Sequence, residues 1–392
     1  MAKGAYIGVN GVARKVTRIY VGVNGVARRV KKASVGVNGV ARLFWSSGLE
    51  RILTKTLGTA RSNCGAASFK NAAFIVGGYG GDNSSLPATV EVYDSSHTQY
   101  FPDALNRGRY EIASISDDRM DDNVCFAGGY DSLSTNSSGI YIDVYNSDWT
   151  KEGDCPNFPL SNGRYGAAGA AVYGYFYIGG GMNRYNSAYY NTVYELNTST
   201  WGLREIGTLL AKSFRCAAAN TDVYAVFTGG QSASSTYHSK VSAFDSMGVS
   251  IDEAPEPLSQ SKAQHAGARV GDNVIFAGGK TSSTAFTSAD AYDRLVTKIE
   301  GVEPLSVARY SLSGASFGEY AAFVGGRGMN SIYNTIDVYD EDLTLVEDPV
   351  IELSEPRCLV GAAATRNFMY AAGGQNGSNT SALSNVLDIF TN

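Results

Sequence analysis

The chain has 392 residues, of which 45 are glycine and 25 tyrosine, and its 32 Lys and Arg against 37 Asp and Glu give a net charge of −5. Abundant glycine and tyrosine favour short strands joined by tight turns over helices. The longest apolar run falls short of the roughly 18 residues that a membrane span needs, and the start lacks the apolar stretch of a secretory signal, which argues against membrane insertion and general secretion.

The first 48 residues differ in charge from the rest of the chain. They contain nine Lys or Arg and no Asp or Glu, whereas the remainder contains 23 basic and 37 acidic residues. Three units in this segment, at 6–16, 20–30 and 34–44, share the sequence GVNGVAR with a period of 14. Asn-Gly is the strongest signal for a two-residue hairpin turn, because a type I′ turn needs positive φ at both central positions. We therefore predict a meander of about six short strands over residues 1–47.

Pairing across each Asn-Gly turn places valines opposite each other on one face of this meander. A sheet of about forty residues cannot bury such a face alone. We therefore expect residues 1–47 to act in docking or oligomerisation, against a second copy of the chain or a scaffold protein. The predicted assembly residues are Val9, Val12, Val23, Val26, Val37 and Val40, together with a row formed by Arg14, Arg28 and Arg42.

The arginine row has two interpretations. It either contacts an acidic partner or nucleic acid, or it is a solvated row that keeps the segment soluble, and the second is the one we favour. Aromatic residues do not alternate with the basic ones as a base-stacking surface would require, so we expect no nucleic-acid partner.

A longer repeat occupies the rest of the chain. Gly-Gly pairs recur at 77–78, 128–129, 179–180, 229–230, 278–279, 325–326 and 373–374, in steps of 51, 51, 50, 49, 47 and 48 residues. A period of about fifty residues indicates a propeller or a solenoid. Each unit begins with a basic residue and a small-residue strand, passes through a hydrophobic strand into the glycine pair, and later contains a triplet such as Val92-Tyr93-Asp94.

These units resemble the kelch repeat in the double glycine, the aromatic residue of the triplet and the tryptophans Trp149 and Trp201 that follow two of the triplets. The resemblance covers residues 49–392 in seven copies and implies an all-β fold. We expect a seven-bladed kelch-like β-propeller of four-stranded blades over residues 48–392. The last unit ends after its third strand, so the strand at 49–57 is expected to complete the seventh blade and close the ring.

The resemblance also implies where a ligand would bind. Connections between second and third strands emerge on one face, and here they are rich in Ser, Asn, Gly and Tyr, a composition suited to recognition. Short polar loops on any propeller share this composition, which is the competing interpretation. The basic residues that start the first strands predict a ring around one tunnel mouth: Arg61, Arg109, Arg164, Lys212, Lys262, Arg309 and Arg357.

Two roles are open for this basic ring. In the kelch family such arginines often bond to neighbouring backbone, which we favour, and in some members they bind acidic ligands. The sharper hypothesis is an anionic or sugar ligand that stacks on the tyrosines that follow three of the arginines. The predicted ligand-binding residues are Arg109, Tyr110, Arg164, Tyr165, Arg309 and Tyr310, with Tyr130, Tyr185 and Tyr237 from the loops.

Catalysis has little support in the sequence. The three histidines, His97, His238 and His265, do not assemble with tyrosines into a copper site. The five cysteines lack C-x-x-C spacing, and we expect reduced, mostly buried thiols. We therefore expect no enzyme activity, no metal and no cofactor.

The repeated GVNGVAR hairpins resemble segments of tail-associated proteins of phages and prophages. This resemblance implies a virion structural protein, in a tail or baseplate fibre or a head decoration, assembled in the bacterial host cytoplasm. Residues 1–47 would contact other virion proteins in a homo-oligomer, and the propeller would bind a host-surface glycan or other receptor. A purely structural virion docking component and a cytoplasmic kelch adaptor for protein–protein interaction are the alternatives.

Overall fold

The computed structural model describes residues 6–9, 12–15, 19–23, 26–30, 32–37, 40–46, 49–69, 71–116, 123–132, 139–153, 155–346, 350–377 and 382–391, with side chains from Leu49 onwards except that of Leu160. The fold of these residues is all-β, and their one helix is a single 3-10 turn at Leu160–Asn162. No helix in this part of the chain is long and apolar enough to span a membrane.

The first six strands form three hairpins. They are β1 (Tyr6–Val9) with β2 (Val12–Lys15), β3 (Ile19–Val23) with β4 (Val26–Val30), and β5 (Lys32–Val37) with β6 (Val40–Ser46). In the first hairpin Val9 pairs with Val12 and Gly8 with Ala13, which is the register predicted from the Asn-Gly turn. The turn residues at 10–11, 24–25 and 38–39 lie outside the described residues.

These six strands pair only within their own hairpins among the described residues, and not as the continuous meander that the repeat suggested. An Asn-Gly turn sets the register inside a hairpin, but it does not determine how one hairpin pairs with the next. The side chains of the predicted valine face and of Arg14, Arg28 and Arg42 lie outside the description. Both features stay predictions.

Strand β7 (Glu50–Thr56) precedes seven small antiparallel sheets, the blades, whose inner strands contact each other in a closed circle. Blade 1 contains β8 (Gly65–Ser68), β9 (Ala72–Val76), β10 (Val90–Asp94) and β11 (Gln99–Tyr100). Blade 2 contains β12 (Ala113–Ser116), β13 (Asn123–Ala127) and β14 (Ile142–Asn146). Blade 3 contains β15 (Ala168–Val172), β16 (Tyr175–Gly179), β17 (Thr192–Asn197) and β18 (Leu203–Thr208).

The remaining blades repeat this order. Blade 4 contains β19 (Ala217–Asn220), β20 (Tyr224–Thr228) and β23 (Val241–Asp245), with a loop hairpin of β21 (Gln231–Ala233) and β22 (Thr236–Tyr237). Blade 5 contains β24 (Ala266–Val270), β25 (Asn273–Ala277), β26 (Ala289–Tyr292) and β27 (Lys298–Ile299). Blade 6 contains β28 (Ser313–Phe317), β29 (Tyr320–Val324), β30 (Thr335–Tyr339) and β31 (Ile351–Glu352). Blade 7 contains β32 (Gly361–Ala364), β33 (Phe368–Ala372) and β34 (Val386–Thr391).

The expectation of seven blades is confirmed, but the expectation of four full strands in every blade is wrong. In the described parts of blades 2 and 4 the fourth strand is reduced to single bridges, Tyr145 with Lys151 and Phe244 with Ser250. At each of these outer edges only one described residue pair forms a β-bridge, which is too short for a strand. The inner three strands, which carry the packing between blades, are unaffected.

The seventh blade combines β32, β33 and β34 with β7, the strand that precedes blade 1. Strand β7 pairs antiparallel with β34, with Thr56 opposite Val386 and Leu53 opposite Ile389. Asp388 on β34 also accepts a hydrogen bond from Thr54 on β7 at 2.9 Å. This pairing closes the ring and covers the edge that β34 would otherwise expose.

The glycine pairs join each blade to the next one. Both glycines of a pair have positive φ, and a Cβ at Gly77 would lie 2.4 Å from the carbonyl oxygen of Arg109. The second glycine donates its N–H to a carbonyl at the start of the next blade, as Gly78 does to Arg109 at 2.9 Å. In blade 3 the donor to that carbonyl is Gly181, so the equivalent pair is 180–181 and not 179–180.

The tyrosine of the repeated triplet has a structural role. The phenol hydroxyls of Tyr145, Tyr292 and Tyr339 are buried and donate hydrogen bonds of 2.8–2.9 Å to backbone carbonyls of the preceding blade. Burial raises the pKa of all three phenols above the ordinary range. The triplet therefore ties adjacent blades together.

Candidate functional site

A ring of residues at the start of the blades is deeply buried. The structural equivalent in each blade is the residue whose carbonyl accepts the N–H of the second glycine from the blade before. In blade 4 this residue is Ser213, and the exposed Lys212 beside it lies outside the ring that the sequence assigned to it. The members of this buried ring are Arg61, Arg109, Arg164, Ser213, Lys262, Arg309 and Arg357.

Five members of the buried ring pair with a carboxylate on the third strand of their own blade. The nitrogen–oxygen distances are 2.6–3.2 Å in the pairs Arg61–Glu91, Arg109–Asp143, Lys262–Asp290, Arg309–Asp337 and Arg357–Asp388. Each buried cation thus has an ionic partner, which offsets much of the cost of its desolvation. These pairs hold the first and third strands of a blade together.

Blades 3 and 4 lack this pair of a buried cation and a carboxylate. Arg164 lies over the ring of Tyr190 at 4.8 Å and over that of Tyr194 at 4.9 Å, and its Nη1 donates to the carbonyl of Thr192. Burial lowers the pKa of Arg164 to about 10. Blade 4 has Ser213 in the ring and Ser242 on the third strand, so it buries no charge at either position.

The predicted ligand role of Arg109, Arg164 and Arg309 does not fit this arrangement. Their side chains are buried and engaged within their own blades. A ligand in the tunnel would have to break these contacts to reach a guanidinium group. All three donate to backbone carbonyls, as we favoured from the sequence, and Arg109 and Arg309 also pair with a carboxylate, which we did not predict.

The tunnel mouth is formed by the residues that directly follow the buried ring and the glycine pairs. In each blade one residue of the first kind forms a bridge with one of the second. The seven bridges are Ser62–Tyr79, Tyr110–Tyr130, Tyr165–Met182, Phe214–Gln231, Ala263–Lys280, Tyr310–Arg327 and Cys358–Gln375. Each blade therefore contributes two positions beside the mouth, and the residues there differ from blade to blade. Six of them are buried: Ser62, Phe214, Ala263, Tyr310, Cys358 and Gln375.

Aromatic rings follow one another around the mouth from blade 1 to blade 4. We call this set, Tyr79, Tyr110, Tyr130, Tyr165 and Phe214, the aromatic arc. Successive ring centroids lie 5.6, 4.8, 5.5 and 5.0 Å apart. The structure thus brings together three predicted ligand residues, Tyr110, Tyr130 and Tyr165, all of which are half-buried.

Cationic side chains occupy the other part of the mouth. Arg215, Lys280 and Arg327, which we call the cation triad, come from blades 4, 5 and 6 and line one cavity together with Tyr310. The Lys280 Nζ lies 4.4 Å and the Arg327 Cζ 5.8 Å from the centre of the Tyr310 ring. The predicted ligand residue Tyr310 therefore lines the cavity, but it is buried, with 9% exposure, and lies among cations and apart from the aromatic arc.

The cavity itself has a volume of about 520 Å³ and opens along the tunnel. Two residues after each buried-ring position the backbone takes a left-handed conformation, with φ between 52° and 60° at Asn63, Glu111, Gly166, Arg215, Gln264, Ser311 and Leu359. All seven line the cavity. Backbone hydrogen bonds join them from blade to blade, for example Arg215 N–H to Gly166 at 2.7 Å and Gln264 N–H to Arg215 at 2.9 Å. These bonds offset strain that would otherwise disfavour non-glycine residues there.

One ion pair crosses blade 3 at the mouth. The Arg215 Nη2 donates to the Glu111 Oε1 at 2.5 Å, and Nε donates to Oε2 at 3.2 Å. Burial acts to lower the pKa of Arg215, but the charge of Glu111 and its hydrogen bond outweigh this effect, so the pKa is raised. Burial and the Glu111 charge raise the pKa of the neighbouring Tyr110 phenol to about 12, so Tyr110 is a neutral hydroxyl at pH 7.

The two remaining predicted ligand residues lie in the outer loops. Tyr185, in the loop after β16, is 56% exposed. Tyr237 on β22 is opposite Gln231, which in turn bridges to Phe214 of the aromatic arc. Arg184, beside Tyr185, places its Cζ 4.3 Å from the centre of the Tyr130 ring and so extends the arc outwards.

The histidines are spread over three separate environments. His97 contacts Phe368 and Tyr370, His238 bonds to Ser232, and His265 bonds through Nε2 to Thr228 at 2.8 Å. Burial, with the charge of Lys262, holds the pKa of His265 well below its usual range. Within the described residues no three His, Cys, Asp or Glu side chains converge on a common point that could hold a metal ion. All five cysteines are free thiols, and Cys125 and Cys358 are buried.

Sequence reasoning missed Glu111 and the cation triad. The signal was present in their spacing, because Lys280 and Arg327 directly follow glycine pairs and Glu111 and Arg215 lie two residues after buried-ring positions. From the sequence we placed Lys280 and Arg327 in the loops between second and third strands. We did not place Glu111 and Arg215 in the tunnel.

Comparison with known proteins identifies one motif. The sequence model of the Kelch motif family matches residues 60–100, which run from the start of blade 1 to β11. A search of curated proteins found no match. The motif and the seven-bladed all-β architecture support a kelch-repeat propeller, a fold that generally serves as a binding scaffold.

Proposed function

We propose that this kelch-motif propeller is the receptor-binding part of a phage or prophage virion protein and binds a host-surface glycan at its tunnel mouth. The observation that carries the proposal is the aromatic arc, three members of which are next in sequence to residues that line the cavity. Tyr110, Tyr165 and Phe214 directly precede Glu111, Gly166 and Arg215, which line the cavity. Partly exposed tyrosine rings beside a polar cavity suit sugars, which present an apolar face for packing and hydroxyls for hydrogen bonding.

The virion part of the proposal rests on the resemblance of the GVNGVAR hairpins to tail-associated proteins. We propose that residues 1–47 contact other virion proteins, or further copies of this chain, in a tail fibre, a baseplate or a head decoration. Several propellers would then face the host together. Linked weak sites gain avidity of 10²-fold or more without any new contact, so each tunnel mouth needs only modest affinity.

A glycan array with the full-length chain tests ligand binding. We expect binding to a subset of bacterial surface glycans, and an at least ten-fold loss when Tyr110, Tyr165 or Tyr310 is replaced by Ala. Tyr100→Ala is the matched control, because Tyr100 lies on the outer strand β11, is 40% exposed and contacts the Trp149 ring. Binding that survives all three mouth substitutions contradicts a glycan site at the tunnel mouth. No binding to any glycan contradicts the proposal and favours a protein-docking role as a virion component or adaptor.

Deletion of residues 1–47 tests the assembly role. We expect the shortened chain to fold as a monomer and the full-length chain to form an oligomer, as measured by light scattering. The same oligomer before and after deletion would place the self-association elsewhere. Circular dichroism of both chains checks that the propeller remains folded.

A further inference from the structure

The three members of the cation triad reach one side of the cavity from three successive blades. Arg215 follows Phe214 in blade 4, Lys280 follows the glycine pair of blade 5, and Arg327 follows that of blade 6. All three side chains are partly exposed, so a ligand in the cavity can reach them. Like charges gathered in this way repel one another unless an anion lies between them.

The triad has too few anionic partners among the described residues. Arg215 pairs with Glu111, but neither Lys280 nor Arg327 forms an ion pair with a described carboxylate. The Nε of Arg327 is buried and has no hydrogen-bond partner within this part of the chain. Burial, and then the charges of Arg215 and Arg327, lower the pKa of Lys280.

The buried ring shows how cations with a purely structural role are paired in this fold. Its lysine, Lys262, is paired with Asp290 at 3.2 Å and also donates to the hydroxyl of Ser288 at 3.0 Å. Blade 4 lacks both the acid and the base, with Ser242 and Ser213, and in blade 3 the buried Arg164 lies over two tyrosine rings and donates to Thr192 in place of a carboxylate. Lys280 and Arg327 differ from all of these, because they are partly exposed at an open cavity and form no ion pair with a described carboxylate.

We propose that Arg215, Lys280 and Arg327 form an oxyanion site that binds the carboxylate or phosphate group of an acidic glycan. This inference rests on the proposed glycan-binding function and names the chemical class of the sugar. The guanidinium groups provide planar donors that match two oxygens of the anion, and Lys280 adds a compact charge. The Tyr310 ring, which is buried with 9% exposure, lies against Lys280 and Arg327 and helps to position their charges.

Three probes distinguish the possible outcomes in isothermal titration of the full-length chain. They are an oligosaccharide that contains glucuronate, the same oligosaccharide with its carboxyl groups reduced to alcohols, and a glycerol phosphate oligomer. We expect at least one of the two anionic probes to bind ten-fold or more tightly than the reduced one. The stronger of the two identifies the anion as carboxylate or phosphate.

Charge-removing variants assign the binding to the triad. We expect Lys280→Gln and Arg327→Gln each to weaken binding of the stronger anionic probe about ten-fold, as for a lost charged hydrogen bond. Lys212→Gln, which removes an exposed charge outside the cavity, should leave it unchanged. Thermal unfolding of each variant checks that the fold is retained.

Two results overturn the inference. The first is equal binding of the acidic and the reduced oligosaccharide, or anion binding that both triad variants leave unchanged. Either outcome contradicts the oxyanion site but not the proposed glycan binding. Failure of all three probes, together with a blank glycan array, removes both the site and the proposed function.

Discussion

The carboxylate of Glu111 on blade 2 forms a bidentate ion pair with the guanidinium of Arg215 on blade 4, with distances of 2.5 and 3.2 Å. The two residues are 104 positions apart, and Gly166 of blade 3 lies between them. The pair links non-adjacent blades at the tunnel mouth. It also neutralises the one member of the cation triad that has a described carboxylate partner.

Removal of the Glu111 charge should strengthen the binding of an acidic ligand. In Glu111→Gln the guanidinium of Arg215 loses its internal anion, so that the two nitrogens that bind Glu111, Nε and Nη2, also become available to an external anion. We expect the affinity for the stronger anionic probe to rise several-fold, and that for the reduced oligosaccharide to stay unchanged, by isothermal titration. Weaker binding of the anionic probe would show that the pair orders the site instead of competing for it.

Gly166 should tolerate no side chain. It has a φ of +60°, and a Cβ there would lie 2.3 Å from the Phe214 ring and 3.2 Å from Glu111. We expect Gly166→Ala to lower the free energy of unfolding by about 1–3 kcal/mol through backbone strain and a further amount through the clash. Gly301→Ala is the control, since φ there is +78° with open space around the Cβ. If Gly166→Ala and Gly301→Ala lose equal free energies of unfolding in chemical denaturation, the clash with Phe214 and Glu111 contributes nothing.

Asp388 should be essential to the closing blade. It accepts hydrogen bonds from Arg357 at 2.6 Å, Thr54 at 2.9 Å and the Ser354 backbone at 2.9 Å, and it is buried. We expect Asp388→Ala to cost about 3–5 kcal/mol of unfolding free energy, because it leaves the buried Arg357 with only the more distant Glu355, at 3.9 Å, as an ionic partner.

The double variant Asp388→Leu with Arg357→Met separates charge from packing. It removes the buried base together with the acid, so it should recover part of the stability lost in Asp388→Ala. No recovery in urea denaturation would show that the links from Asp388 to Thr54 and Ser354, and not the pair with Arg357, carry its contribution.

His265 should make stability depend on pH. Its folded-state pKa lies well below that of an unfolded histidine because burial, and then Lys262, disfavour the charged form. Below about pH 6.5 the unfolded chain takes up a proton that the folded chain does not, so stability falls as the pH falls, by up to about 1.4 kcal/mol per pH unit. We expect His265→Gln to flatten this slope between pH 6.5 and 5 in thermal denaturation, and His238→Gln to change it less.

The seven blades could be predicted from sequence because the fifty-residue period repeats a complete structural unit. The hairpin register at Val9 and Val12 could also be predicted, since an Asn-Gly turn specifies it locally. The buried ring was misplaced by one residue in blade 4, because Lys212 lies next to the true position and has the expected charge.

The chemistry of the mouth was harder to predict because it depends on tertiary contacts. The carboxylates Glu91, Asp143 and Asp337 recur at one position of the third strand, and they could have indicated that the arginines are paired and buried. Lys280 and Arg327 share one position of the repeat, directly after the glycine pair, but Arg215 occupies a different one, so the repeat alone does not show that the three converge. Their proximity follows from closure of the ring.

The most direct test of a ligand site at the tunnel mouth is a crystal structure of the full-length chain with the glycan that binds most strongly on the array. We predict a sugar in contact with Tyr110 or Tyr130 and an oxyanion within hydrogen-bond distance of Lys280 or Arg327. A ligand bound only on the outer loops, for example at Tyr185 or Tyr237 with an empty tunnel mouth, would contradict the account.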